Sequence, residues 1–253
     1  MKIEVTEVRN ELDDAFVASQ LGAYNAAFTV KDFKLLRVFA RDADGSAIGG
    51  LFADTYWQYL EVFPDPWLDR WMTFINARAG ERPVLEIGCG YGDDTASLAK
   101  AGLRVIGFDL SRASVASTRI RVPSASIERR DVRDPLPEDA TDLGVALASL
   151  SLHYFAWEET VSIVDRVRLA LRLGGVLLCR LNSTEDRNFG AYGCEEIEPS
   201  YFLVNGQPRR FFDESAVRRL FADGWNTIAL EHITTYKYQQ SKAAWEVILE
   251  RVR

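Results

Sequence analysis

Val84-Leu85-Glu86-Ile87-Gly88-Cys89-Gly90-Tyr91-Gly92 joins a short apolar run to a helix-forming one. Pro83 to Ile87 reads as a buried strand and Asp93 to Ala101 as a helix. Glycines between the two permit a tight turn and let a ligand come close to the backbone. Nineteen residues beyond Gly90, the next apolar stretch ends in Gly107-Phe108-Asp109-Leu110. An acid at that distance is placed to hydrogen-bond a ribose diol. Both features fall at the carboxyl ends of neighbouring strands, where open α/β sheets bind ligands. A dinucleotide loop would have a third glycine where Asp93 stands; the spacing here is E-x-G-x-G-x-G.

Outward from this loop, strands and helices alternate. Trp67 to Ala79 reads as a helix, Leu103 to Phe108 as a strand, Ser111 to Arg121 as a helix and Ala125 to Glu128 as a strand. Asp142 to Ala148 reads as a strand, Trp157 to Leu171 as a helix and Val176 to Leu181 as a strand, with Gly174-Gly175 as the helix stop. A helix from Asp213 to Ala222, capped by Asp213, precedes two last strands, Trp225 to Ile233 and Ala243 to Glu250. The expected fold is α/β, a doubly wound, seven-stranded, mostly parallel sheet whose last two strands form an antiparallel hairpin. Phe63-Pro64-Asp65-Pro66 marks a boundary, so residues 1–62 form a small α+β unit and residues 63–253 the main domain. In the small unit, residues 10–28 read as an amphipathic helix. Leu35 to Ala40 and Ala47 to Thr55 read as strands joined by a turn at Asp42-Ala43-Asp44-Gly45-Ser46.

The 253 residues hold 30 Lys and Arg against 37 Asp and Glu, a net charge of −7. An acidic surface disfavours phosphate backbones and anionic lipid, so neither nucleic acid nor membrane is an expected partner. Cys89, Cys179 and Cys194 are odd in number and far apart, which fits a reducing, cytoplasmic setting. With only His153 and His232 besides, no metal site is expected. The amino-terminal residues carry no apolar signal region, and no run is long enough to span a bilayer.

The loop from Glu86 to Gly92, with Asp109, resembles the class I S-adenosylmethionine-dependent methyltransferases. The resemblance covers roughly residues 64–253. It implies that the loop residues Glu86, Gly88, Cys89, Gly90 and Gly92 wrap the aminoacid end of S-adenosylmethionine. Asp109, followed by Leu110, would take the ribose, and Asp131 the adenine amino group, followed by Val132. Ser149 would lie at the strand end facing the cofactor, with S-adenosylhomocysteine as the product. Phe63-Pro64-Asp65-Pro66-Trp67-Leu68, Ser149 to Phe155, Arg180 to Thr184 and Arg210-Phe211-Phe212 resemble the small tellurite-resistance-type branch, whose members methylate small compounds.

Methyl transfer from a sulfonium is an in-line displacement that mainly needs alignment, and a base only when the nucleophile arrives protonated. The catalytic candidates are His153, Tyr154 and Arg180. His153 can titrate near neutral pH; equally, it can pack against Tyr154 and Trp157. Arg180, Asn182 and Arg210 are placed to hold an anionic substrate, while Arg180 can instead pair with Glu195, Glu196 or Glu198. His232 reads as structural. The insert around Tyr192 and Tyr201 is a lid or an acidic loop. Trp67 and Trp71 read as helix core.

Tyr24-Asn25-Ala26-Ala27, Leu36 to Gly45, Ile48-Gly49-Gly50-Leu51 and Thr55-Tyr56-Trp57 resemble the front half of a GCN5-type acetyltransferase without its pyrophosphate loop. The unit is expected to cover the substrate pocket or to make a homodimer contact, and Tyr24, Tyr56 and Trp57 to line an entrance or a core. The expected activity is methyl transfer to a small-molecule acceptor. The alternatives are an inactive cofactor-binding regulatory or scaffold protein and, further off, an acetyltransferase or nucleic-acid methyltransferase. The acceptor and its accepting atom are not legible.

Overall fold

The computed structural model describes the backbone of residues 2–6, 34–41 and 47–55, together with residues 67–236 and 240–253. The chain forms two compact units, Met1–Phe63 and Pro64–Arg253. In the first, β1 (Lys2–Thr6), β2 (Lys34–Arg41) and β3 (Ala47–Thr55) make an antiparallel sheet in that order. The β2–β3 hairpin matches the two strands read from the sequence; β1 was not among them. The expected helix at 10–28, the turn at 42–46, and Tyr24, Tyr56 and Trp57 lie outside the described residues.

The second unit is built on β4 (Val84–Ile87), β5 (Val105–Asp109), β6 (Ser126–Arg129), β7 (Leu143–Ser149), β8 (Leu171–Asn182), β12 (Trp225–Thr235) and β13 (Lys242–Arg251). These seven strands are ordered β12-β13-β8-β7-β4-β5-β6. The pairs among β4 to β8 are parallel, and β13 alone runs against its neighbours β8 and β12. Three short strands, β9 (Glu195–Glu198), β10 (Tyr201–Val204) and β11 (Gln207–Arg210), form a separate antiparallel sheet after β8. Among the described residues the helices are α1 (Met72–Ala79), α2 (Asp93–Lys100), α3 (Arg112–Arg121), α4 (Trp157–Ala170) and α5 (Glu214–Leu220). None is long and apolar enough to cross a membrane.

Side-chain alternation along the central strands makes two cores. Leu85, Ile87, Ala146, Leu177 and Cys179 point to the face covered by Ile163, Val164 and Val167 of α4 and Val217 and Leu220 of α5. Val84, Val145, Leu147, Val176 and Leu178 point to the opposite face, under Trp67, Leu68, Ile75 of α1 and Leu98 of α2. Ser111 caps α3 by accepting from the Ser114 amide, and Asp213 caps α5 through the Ala216 amide.

Two readings are corrected. Gly174-Gly175 does not end a helix: α4 stops at Ala170, β8 begins at Leu171, and Gly174 (φ +73°) sits in the bulge where pairing with β7 shifts register. The Glu195–Glu198 run is not a loop but strand β9, paired with β10.

Candidate cofactor and acceptor site

Each glycine of the loop after β4 has its own reason. Gly88 (φ +74°) and Cys89 both donate to the Phe108 carbonyl, and a Cβ on Gly88 would fall 2.6 Å from Ser151 Cβ. Gly90 (φ +51°) would place a Cβ in open space, with no atom of the described residues within 4 Å. Its carbonyl accepts from Thr118 Oγ1 at 2.8 Å, and its amide donates to Asp109 Oδ2 at 3.0 Å. Gly92 N-caps α2 in the left-handed region. The other Asp109 oxygen, Oδ1, accepts from the Ser111 amide at 2.8 Å. Loop and acid are thus one backbone-locked unit, with spare lone pairs on the carboxylate.

Beneath the loop, Glu86 is buried and accepts from Thr95 Oγ1 at 2.5 Å. Burial, then the nearby Asp94 charge, pushes its carboxyl up to about 8, so it holds its proton at neutral pH. Burial raises the Cys89 thiol to about 12, which makes it a loop wall and no nucleophile. Leu110 is 58% exposed and offers an open apolar face next to Asp109. Asp131 is clamped by Arg133, through Nη2 at 2.6 Å and the backbone amide at 2.9 Å, and lies below the usual carboxylate range because of that pair. Val132 packs into the core behind it.

At the end of β7, Leu150 adopts φ +53°, a strained turn for a branched side chain, and donates its amide to the Arg180 carbonyl. Arg180 is 1% exposed. Its Nε and Nη2 both donate to Ser149 Oγ, at 3.0 and 2.7 Å, and its guanidinium stacks 4.4 Å from the Trp67 ring centroid. Trp67 donates its indole N–H to Asp94 at 3.0 Å, so it is a platform for the site as well as core. This corrects two expectations. The acidic run does not pair with Arg180; Glu198 pairs with Arg210. Arg210 is not free to hold a substrate, because it also donates to the Phe155 and Pro199 carbonyls.

His153 is buried, with its ring 4.2 Å from that of Tyr154. Burial, then the charges of Lys242 and Arg209, holds its imidazole well below the usual range, so it is neutral. Tyr154 is half-exposed, and its carbonyl accepts from Tyr201 Oη at 3.0 Å. His232 is engaged by Ser183 Oγ at 2.7 Å and edge-on to Trp245, in keeping with a structural role. Tyr192 is exposed beside Arg187. The cluster thus brings Glu86 to Gly92, Asp109, Leu110 and Asp131 together on β4 to β6. Ser149 and Arg180 lie near the ends of β7 and β8, with His153 and Tyr154 in the loop after β7. Arg209 and Lys242 were not read from the sequence. Arg210 was, and strand alternation could have pointed to Arg209 on the opposite face of β11.

This sheet order and glycine cradle define the methyltransferase class of α/β fold. A methyltransferase-domain family model matches residues 84–175. An uncharacterized methyltransferase of Synechocystis sp. is 31% identical over 151 residues, 56% of this chain and 71% of that protein. Trans-aconitate 2-methyltransferase of Paracidovorax citrulli is 37% identical over 102 residues. That match takes in 39% of this chain and 38% of the relative, so the chain spans well under half the length of the first curated relatives. A Methanosarcina mazei S-adenosylmethionine-dependent methyltransferase aligns over 71% of this chain and 97% of its own, at TM-score 0.59 and 15% identity. Magnesium protoporphyrin IX methyltransferase of Synechocystis, solved with the cofactor bound, aligns over 95% of both chains at TM-score 0.55 and 13% identity. The chain belongs to the class I S-adenosylmethionine-dependent methyltransferases.

Proposed function

We propose that this chain transfers a methyl group from S-adenosylmethionine to a small-molecule acceptor by in-line displacement. The observation that carries the reading is the Gly90 amide locked onto Asp109, with open space over Gly90 where a ligand can meet the backbone. The residues fit the cofactor. Asp109 has lone pairs left for ribose hydroxyls, Leu110 presents an apolar face to a base, and Asp131, held by Arg133, accepts an amino group. Glu86 lies under the loop that would hold the aminoacid end. When bound, the cofactor supplies a methyl carbon on a cationic sulfur, with a neutral thioether as leaving group.

The protein's own contribution is alignment and exclusion of water. Ser149, Arg180 and Trp67 form a fixed wall at the end of β7. His153 and Tyr154 stand on the acceptor side. The neutral, weakly basic His153 serves as a hydrogen-bonding group there, and an acceptor that arrives ionised needs no base. The trans-aconitate methyltransferases among the relatives support a small acceptor. On motifs alone, the proposal places the chain near the tellurite-resistance-type branch. It also takes residues 1–62 as an acetyltransferase-like half-domain. Calorimetric titration with S-adenosylhomocysteine tests the cofactor site. The full chain binds at micromolar Kd, and Asp109→Ala weakens binding tenfold or more, about 1.4 kcal/mol. Equal affinity in the two proteins, or no binding by the full chain, overturns the reading.

A further inference from the structure

Beside the proposed cofactor site, four buried polar atoms have no hydrogen-bond partner among the described residues: Ser151 Oγ, His153 Nδ1, Asn182 Oδ1 and Arg209 Nε. Backbone bonds bring the segments that carry His153, Asn182 and Arg209 together. The Arg210 amide donates to the His153 carbonyl at 2.7 Å, and the Phe212 amide to the Asn182 carbonyl at 2.8 Å. This stitches the end of β11 across the ends of β7 and β8. Lys242 opens β13 beside them, where the Ser183 amide donates to the Ala243 carbonyl. Buried polar atoms without a protein partner are satisfied by water or by a ligand, and their grouping beside the proposed cofactor site favours a polar ligand.

The chemistry of that ligand follows from the atoms. Arg209 makes no hydrogen bond or ion pair among the described residues, although its charge acts on His153, Tyr154 and Lys242. Lys242 is already balanced by Asp186, at 3.3 Å. An unpartnered guanidinium next to a second cation selects an anion, and its planar fork suits a carboxylate. Asn182 donates Nδ2 to the Arg210 carbonyl at 3.3 Å and leaves its buried Oδ1 without a partner among the described residues. That oxygen can only accept, so the ligand must also donate. An ammonium donor would face Arg209 and Lys242, whose like charges disfavour it; a hydroxyl does not.

We propose that the acceptor is a small hydroxycarboxylate, with Arg209 as the specificity-determining residue for its carboxylate and Asn182 Oδ1 taking its hydroxyl. The reading deepens the methyl-transfer proposal by naming a substrate class for that pocket. Citrate, tricarballylate (the same acid without the hydroxyl), trimethyl citrate and inorganic phosphate are titrated calorimetrically into the full chain, with and without S-adenosylhomocysteine. Citrate is expected to bind at least fivefold tighter than tricarballylate and tenfold tighter than the ester or phosphate. Arg209→Gln loses tenfold or more for both acids, and Arg209→Lys recovers part of it. The S-adenosylhomocysteine affinity stays within twofold, and the melting temperature is unchanged or higher because Arg209 makes no hydrogen bond or ion pair among the described residues. Equal binding of all four probes, phosphate binding as tight as citrate, or an Arg209→Gln variant with unaltered citrate affinity overturns the proposal. Arg209-dependent citrate binding without any nucleoside binding would sustain the anion pocket while the cofactor reading fell.

Discussion

Gly88 and Gly90 share a left-handed backbone yet answer to different forces. A methyl on Gly88 collides with Ser151 Cβ, where there is no far end of a flexible side chain to yield. Gly88→Ala should therefore cost roughly 1–3 kcal/mol of stability, seen as a lower melting temperature. Gly90→Ala meets nothing, so it should fold with a cost of about 1–2 kcal/mol for its φ and lose S-adenosylhomocysteine binding instead. Two buried groups set opposite pH trends. The native state keeps a proton on Glu86 up to about 8, whereas the unfolded chain releases it near 4.5, so this group withdraws stability as pH rises between those values. In Glu86→Gln, denaturant unfolding should gain most over the parent at pH 8. His153 does the reverse: the unfolded chain takes up a proton near 6.5 and the native imidazole does not, so stability falls as pH drops below 6.5. His153→Gln should flatten that acid limb.

At the scale of elements, α5 offers a clean measurement. Its Asp213 cap accepts the Ala216 amide at 2.7 Å, and Asp213→Ala should cost about 1 kcal/mol in denaturant unfolding without touching cofactor binding. That cap was legible in the sequence, as were the glycine loop, Asp109 and the strand–helix alternation, because each depends on neighbours within a few residues. What escaped was set by distant pairing. Glu195-Glu196-Ile197-Glu198 reads as a solvated charge run and becomes a strand only because Tyr201–Val204 lies against it. Trp67 reads as core because nothing local announces Arg180, which reaches it from the far end of β8. Arg209 and Arg210 are adjacent letters with opposite fates, one without a partner among the described residues and the other clamped by two carbonyls and Glu198. Gly174-Gly175 was misread because a helix stop and a bulge draw on the same residue.

Across the whole of residues 64–253, the sheet divides its labour. The parallel strands β4 to β6 carry the groups proposed for the cofactor, and β7, β8 and the β9–β11 sheet carry those proposed for the acceptor, so changes on one side should leave the other's affinity intact. Asp109→Ala and Arg209→Gln are expected to be additive within about 0.5 kcal/mol in a double-mutant cycle of the two binding energies. The position of β13 bears on how the molecule is born. Among the described residues strand β12 pairs with β13 alone, and β13 comes after it in the chain while occupying the place between β12 and β8. During synthesis, then, β12 leaves the ribosome with no seat to take. The edge of β8 stays open, with its row of unpaired amides and carbonyls, until residues 242–251 clear the exit tunnel and slot between them. A nascent chain stalled short of that point would lack two strands, and until β13 emerges it is most exposed to pairing with another copy of itself.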